Sequence, residues 1–246
     1  MNNKPNTVRV ITYNCRGYNS TKQPYLASLL VKCDFLFLQE HWLSQGQLDS
    51  LNEISRAHSV TAISGFGHRE VLQGRPFGEC AIFWRRNSDM NVEIPDTFSS
   101  RMCALRAYNS NNDLLFINVY MPYEGAESKN DDFCTVLSQI ECLIEQYPQS
   151  QICLGGDFNT DFSRSFAHSD ILSLFCNTNN VFPVISHEDS EVDYTYNFCM
   201  KRFSIIDHFI VSRFIYECIC NVQVIHDADN FSDHDPLLIV LNYNWK

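Results

Sequence analysis

Gly155-Gly156-Asp157-Phe158-Asn159-Thr160-Asp161 is the stretch on which the reading of this chain turns. An apolar run at residues 151–154 precedes it, so a short buried strand is expected to end where two glycines turn the backbone and present Asp157 and Asn159 beyond it. A turn without chemistry is the rival reading, because Gly, Asp and Asn all favour turns for local backbone reasons. A calcium loop is the third, with Asp157, Asn159 and Asp161 at loop positions one, three and five. It fails where Phe162 replaces the Gly of the sharp turn and His168 replaces the bidentate Glu. Other stretches decide between catalyst and turn.

Outward from this point, residues 8–13 alternate around Val8, Val10 and Thr12 and are followed by Asn14 and Gly17, as a strand ending in a loop. Residues 34–39 form a nearly continuous apolar run, as expected of a strand covered on both faces, and Glu40 follows at once. Further strands are expected at 80–85, 90–94, 102–108, 114–120, 194–198, 203–211, 216–224 and 237–243. Pro24 opens a helix reaching residue 30, and Leu48, Leu51 and Ile54 have helical spacing within 45–56. The clearest helix covers 130–147, where Phe133, Leu137, Ile140, Ile144 and Tyr147 form one stripe ended by Pro148; another is expected over 165–175. The segment 64–78 reads as a long loop within reach of a substrate. This mixture predicts an α/β fold: a four-layer sandwich of two mixed β-sheets flanked by helices.

A chain of 246 residues with 45% hydrophobic content suits one large domain spanning residues 1–246. No apolar run approaches the length of a membrane-spanning helix and the N-terminus has no signal-peptide pattern, so an intracellular protein with no membrane association is expected. The eleven cysteines are odd in number and include no CxxC pair, as expected of reduced core residues; the sequons at Asn19 and Asn230 then carry no meaning. A net charge of −11 excludes a protein that coats nucleic acid through bulk electrostatics. It leaves a nuclease open, because basic residues such as Arg101, Lys201 and Arg202 remain for local contacts.

Asn14, Glu40, Tyr120 and Asp157 each stand at or near the C-terminal end of an expected strand, the edge at which α/β sheets bind ligands. Ser232-Asp233-His234-Asp235 precedes the last strand, whose opposite end faces the same side if that strand is antiparallel. Ser232-Asp233-His234 is no catalytic triad, since adjacent residues of an extended segment point to opposite faces, and Ser232 is expected to be a local hydrogen-bonding residue. Between two aspartates, His234 suits a cation or hydrogen-bond donor for a phosphate. Asp207 interrupts an apolar strand and needs a partner, for which an imidazole is a natural choice. The oxygen-rich, sulfur-free surroundings point to Mg2+, with Mn2+ able to substitute.

Seven motifs in this order resemble the endonuclease/exonuclease/phosphatase superfamily, from about residue 8 to 241: Tyr13-Asn14-Cys15-Arg16-Gly17, Leu38-Gln39-Glu40, Asn118-Val119-Tyr120-Met121-Pro122, Gly156-Asp157-Phe158-Asn159, Thr195-Tyr196, Ile206-Asp207 and Ser232-Asp233-His234. Within it, Asn14-Cys15-Arg16-Gly17, Gln39-Glu40-His41-Trp42-Leu43, Gly78-Glu79-Cys80-Ala81-Ile82-Phe83-Trp84 and Tyr120-Met121-Pro122-Tyr123 look most like the endonuclease domain of a LINE-type (non-LTR) retrotransposon. The resemblance implies that Glu40 binds the divalent metal with Asn14 nearby and Asp233 completing the acidic cluster. It implies that Asp157 manages the proton of the attacking water or leaving group, that Asn159 and His234 hold the scissile phosphate, and that Asp207 orients His234. Tyr120 and Thr195 would contact the phosphate, with Ser232, Lys201 and Arg202 on the DNA-binding side.

The implied reaction is nicking of one strand of double-stranded DNA to leave a 3′-hydroxyl, which in that family primes a downstream reverse transcriptase domain of the same polypeptide, in the nucleus. The chain is accordingly expected to be one domain of a longer polyprotein. Two departures stand out. Ile206 and His208 flank Asp207 where the family commonly has Arg and Tyr, and the DNA-probing hairpin is short, with Met200, Lys201 and Arg202 at its tip as a minor-groove probe. The alternatives are an abasic-site repair nuclease or small phosphodiesterase of the same superfamily, and, outside catalysis, a degenerate nucleic-acid or protein interaction module.

Overall fold

Along β2 (Phe35–Gln39), Phe35 and Phe37 enter one apolar cluster while Leu36 and Leu38 enter another. Successive side chains of a strand point to opposite faces, so a run that is apolar at every position requires cover on both sides. The computed structural model, which describes residues 7–65, 79–86, 90–97, 99–123, 129–199 and 201–243, supplies that cover. Among the described residues, one sheet has seven strands in the order β10 (Ser190–Glu191), β14 (Ile219–Val224), β15 (Leu237–Asn242), β1 (Thr7–Asn14), β2, β4 (Cys80–Arg85) and β3 (His58–Ala62). The other has six: β5 (Asn91–Glu93), β6 (Met102–Tyr108), β7 (Asp113–Tyr120), β8 (Gln151–Asp157), β13 (Asp207–Ser212) and β9 (Val181–Pro183). A separate hairpin pairs β11 (Tyr196–Phe198) with β12 (Arg202–Ser204).

The inner faces of the two sheets meet in one core, where Phe35 stacks on Phe116 at 4.2 Å and Phe37 packs on Phe209 at 5.8 Å. Helix α1 (Gln23–Lys32) covers the outer face of the first sheet through Leu26, Leu29 and Leu30. Helices α2 (Lys129–Gln146) and α3 (Ala167–Thr178) cover the second through Phe133, Ile140 and Leu172. The expected four-layer α/β sandwich of two mixed sheets is therefore the observed one. Among the described residues, no helix is long and apolar enough to cross a membrane.

The glycine pair overturns one expectation: Gly155 and Gly156 do not turn the chain but lie inside β8, which runs on to Asp157. Gly155 faces the core, where a Cβ would come within 2.6 Å of the Phe209 ring. Gly156 has φ +145° and a Cβ there would lie 2.0 Å from the Val119 carbonyl oxygen on β7. The glycines permit close approach, and the turn comes later, at Asn159, with φ 50°.

Other boundaries shift for local reasons. The single strand expected at 203–211 is broken, because the N–H groups of Ile205 and Ile206 are taken by the side chains of Asp161 and Thr195 instead of a neighbouring strand. The segment 213–217 forms a short helix, α4 (Arg213–Glu217), before β14, and residues within 45–56 form a 3-10 helix, Gln45–Glu53. β3, β9 and β10 are too short or too polar to announce themselves. Most of the loop expected at 64–78 lies outside the described residues.

One polar bridge crosses the inter-sheet core. Asn118 on β7 donates to the carbonyls of Leu38 and Ala81 on the opposing sheet, at 2.9 Å each, and accepts from Gln39 Nε2 at 2.6 Å. Asn118→Ala would leave these buried groups unpaired and is expected to lower stability by about 3 kcal/mol, measured by urea denaturation.

Candidate active site

The alternation that buries Val8 and Val10 in the inter-sheet core carries Thr12 and Asn14 onto the same face. The same holds for Gln39 beyond Phe35 and Phe37, for Tyr120 beyond Phe116 and Asn118, for Asp157 beyond Cys153 and Gly155, and for Asp207 before Phe209 and Val211. Parallel pairing of β1 with β2 and of β7 with β8 puts four of these strand ends at one edge. β13 runs antiparallel to β8, with Asp207 opposite Asp157, so its N-terminal end reaches the same edge. β15 runs antiparallel to β1 and brings the segment containing His234 there too.

At that edge Asn14 Nδ2 donates to Glu40 Oε1 at 3.0 Å and to Asp157 Oδ2 at 2.9 Å. Asp157 Oδ1 accepts from the backbone N–H of Asn159 at 2.8 Å, so both carboxylate oxygens are oriented by fixed donors. His234 Nδ1 lies 2.9 Å from Asp207 Oδ2, and its Nε2 faces Asp157 Oδ2 at 3.8 Å. Burial pulls the His234 pKa down, but Asp207 and Asp157 together overcome it and raise it to about 10, so the ring is an imidazolium at neutral pH. Burial pushes the Asp157 carboxyl up to about 7, opposed by His234 and reinforced by Asp207. A carboxyl raised toward neutrality beside a fixed cation suits general acid–base chemistry.

These motifs and this geometry agree with a sequence model of the Endonuclease/Exonuclease/phosphatase family, which matches residues 11–234. The chain belongs to that family. No match was found among curated proteins. Solved structures show the same fold at low identity. The endonuclease domain of TRAS1, a telomere-specific non-LTR retrotransposon, has TM-score 0.71 and 15% identity over 96% of this chain and 98% of that one. The AP endonuclease LMAP from Leishmania major has TM-score 0.75 and 12% identity over 97% and 88%. The 3′ phosphatase NExo from Neisseria, bound to product DNA hairpin, has TM-score 0.73 and 18% identity over 96% and 100%.

Members of the endonuclease/exonuclease/phosphatase family depend on divalent metal, and the donors here fit one. The buried ligand atoms of Asp157, Asp207 and His234 lie within 4.8 Å of one another, and Asp207 Oδ1 has no hydrogen-bond partner among the described residues. As an imidazolium, however, His234 has no lone pair to offer and already balances the two aspartates, so the metal falls to Glu40 beside this trio. Glu40 is held by neutral donors, Asn14 and the indole of Trp42, which leaves its charge for a metal. Tyr120 stands beside this group, its pKa raised by burial first and then by the charges of Glu40 and Asp157, so its phenol remains neutral.

The remaining expected residues lie around this group and on the hairpin. Asn14 sits between the carboxylates as a donor, its carbonyl oxygen turned back to the N–H of Arg16. Asp233 is paired with Arg16 at 2.7 Å. Thr195, expected at the phosphate, is fully buried and accepts from the N–H groups of Ile206 and Asp207; it supports the Asp207 strand instead of facing a ligand. Ser232 is engaged locally, donating to the Asn14 carbonyl and accepting from the His234 N–H, rather than offered to DNA. Asn159 is anchored through Nδ2 to the Met121 carbonyl. His208 faces away from Asp207 and meets the Thr160 carbonyl through Nε2. Lys201 and Arg202 are exposed on the hairpin, while Met200 lies outside the described residues.

Arg16 and Asn230 are the residues that sequence reasoning missed. Asn230 accepts from Tyr13 Oη and the Ser232 N–H and donates to the His234 carbonyl and Asp235, tying the His234 segment to β1. Its signal was present as Asn-x-Ser, which reads as an idle sequon although it also initiates an Asx turn.

His41, next to Glu40, is not a ligand. Its Nε2–H donates to the Ile63 carbonyl and its Nδ1 accepts from the Leu43 N–H, which fixes a neutral ring, and burial lowers its pKa to about 4. The unfolded chain takes up this proton near pH 6.5 and the folded one resists it. The contribution of His41 to stability is therefore fully present above about 6.5 and is lost as pH drops to about 4, roughly 3 kcal/mol. Metal-free thermal melts should show this acid limb in the wild type and a flatter one in His41→Gln.

Proposed function

We propose that the chain is a Mg2+-dependent endonuclease that nicks one strand of duplex DNA and leaves a 3′-hydroxyl for target-primed reverse transcription. The observation that carries it is the buried Asp207–His234–Asp157 array joined through Asn14 to Glu40. Asp157 takes the proton of the attacking water as its oxygen bonds to phosphorus, the P–O3′ bond breaks, and the released 3′ oxygen takes a proton from solvent to become the 3′-hydroxyl. His234, charged and held by Asp207, donates from Nε2 to a phosphate oxygen as negative charge develops there. Glu40, with Asp157 nearby, would hold the divalent metal, which would supply Lewis-acid stabilisation of the phosphate.

A cavity of about 700 Å³ beside Asn159, lined by Tyr123, Phe166 and Tyr196 with Arg164 and Arg202, offers aromatic and cationic groups suited to a nucleotide. The retrotransposon role is supported by the motif resemblance and by the fold shared with the TRAS1 endonuclease domain. It entails a reverse transcriptase partner and action on nuclear DNA.

Supercoiled plasmid with Mg2+ should become open circles and chelation should stop it, with Glu40→Gln slowing conversion about 10²-fold. Intact plasmid after incubation with the wild type would sink the proposal. An abasic-site nuclease would instead cleave abasic duplex far faster than intact duplex.

A further inference from the structure

Glu40 is presented by unusual backbone: Glu40, Trp42 and Glu79 all have positive φ, at 52°, 56° and 61°. Non-glycine residues persist in this conformation only where their surroundings over-determine them. The Glu79 carbonyl accepts from the Glu40 N–H at 3.1 Å, and Glu79 Oε2 accepts from the Trp42 N–H at 2.6 Å. From the other side, the N–H groups of Gly17 and Tyr18 donate to the carbonyls of Glu40 and His41 at 2.7 and 2.9 Å. The Trp42 ring lies directly on Gly17, which has φ +87° and where a Cβ would sit 2.3 Å from the indole. So seated, Trp42 Nε1 donates to Glu40 Oε2 at 3.2 Å, while Asn14 holds Oε1. Glu79 is fully buried and its Oε1 has no partner among the described residues, an expensive arrangement for a carboxyl with no further task.

We infer that Trp42, seated by Glu79 and Gly17, is a positioning residue that fixes the Glu40 carboxylate for a divalent cation. The inference rests on the reading of Glu40 as the metal-binding residue. An indole N–H is a donor only, so Trp42 cannot itself ligate and acts through Glu40. Outer hydrogen bonds of this kind orient ligating carboxylates and their loss weakens metal binding.

Trp42→Phe keeps a ring on Gly17 and removes the N–H. In DNA-free protein its Mn2+ affinity, measured by titration calorimetry, should weaken about tenfold. The metal concentration for half-maximal nicking should rise by a similar factor, with the rate recovering at saturating metal. Wild-type Mn2+ affinity in Trp42→Phe would overturn the inference and leave the nuclease reading intact; wild-type affinity in Glu40→Gln would overturn both. A second measurement does not depend on that variant folding. In a Trp84→Phe/Trp245→Phe protein, Trp42 is the sole indole, and saturating Mg2+ should shift its emission, but not when Glu40→Gln is added. Emission indifferent to Mg2+ in the protein that retains Glu40 would overturn the inference.

Discussion

Asp157→Asn is expected to lower the nicking rate at neutral pH by about 10³-fold, within the range a general base contributes. Asn has nearly the same shape and still accepts the Asn159 N–H, but it cannot take a proton from water. Its amide also replaces the anion that faces His234 Nε2 at 3.8 Å. Stability should fall only modestly, because removing this buried charge relieves its repulsion with Asp207, which offsets part of the cost of depriving His234 of one of two counter-charges and Asn14 Nδ2 of its acceptor. A melting temperature within about 5 °C of the wild type is therefore expected. The check is initial rates of plasmid relaxation beside thermal melts. A variant within tenfold of the wild type would remove Asp157 from the chemistry.

Gly156→Ala should have the largest effect on stability, a loss of about 4 kcal/mol or more. The new Cβ would meet the Val119 carbonyl oxygen at 2.0 Å and its carbon and nitrogen at 2.9 Å, all of them backbone. No rotamer relieves that, so the β7–β8 ladder must part at the register that places Asp157 opposite Tyr120. The φ of +145° adds strain for any L side chain. Gly155→Ala is the informative contrast: its clash is with the Phe209 ring at 2.6 Å, which can yield, and roughly 2 kcal/mol is expected. Urea denaturation of both variants measures the order, and a Gly156→Ala protein within about 1 kcal/mol of the wild type would contradict this account.

Both predictions concern residues visible in the sequence, yet only the first has a cause visible there. An aspartate beyond an apolar strand is legible as a candidate base, and Asp207 inside an apolar run announces that it needs a partner. The glycine pair is ambiguous, because the same residue serves a turn and a close approach; what distinguishes them is the neighbouring strand.

By itself, the sequence determined the two-sheet architecture and the edge that bears the chemistry. Alternation is a local property: once Val8, Val10, Phe35, Phe37 and Phe116 define the inward face, Asn14, Gln39 and Tyr120 fall on it by counting. The tertiary structure alone decided who meets whom at that edge. Asn14 and Asp157 are 143 residues apart, Thr195 serves the backbone of Asp207, Asp233 is taken by Arg16, and Trp42 reaches Glu40 with Glu79 holding its backbone N–H and Gly17 lying under its ring. Hydrogen bonds are made to whichever group the crossing elements bring within about 3 Å, and that distance is set by packing across the sheets, not by neighbours in the chain.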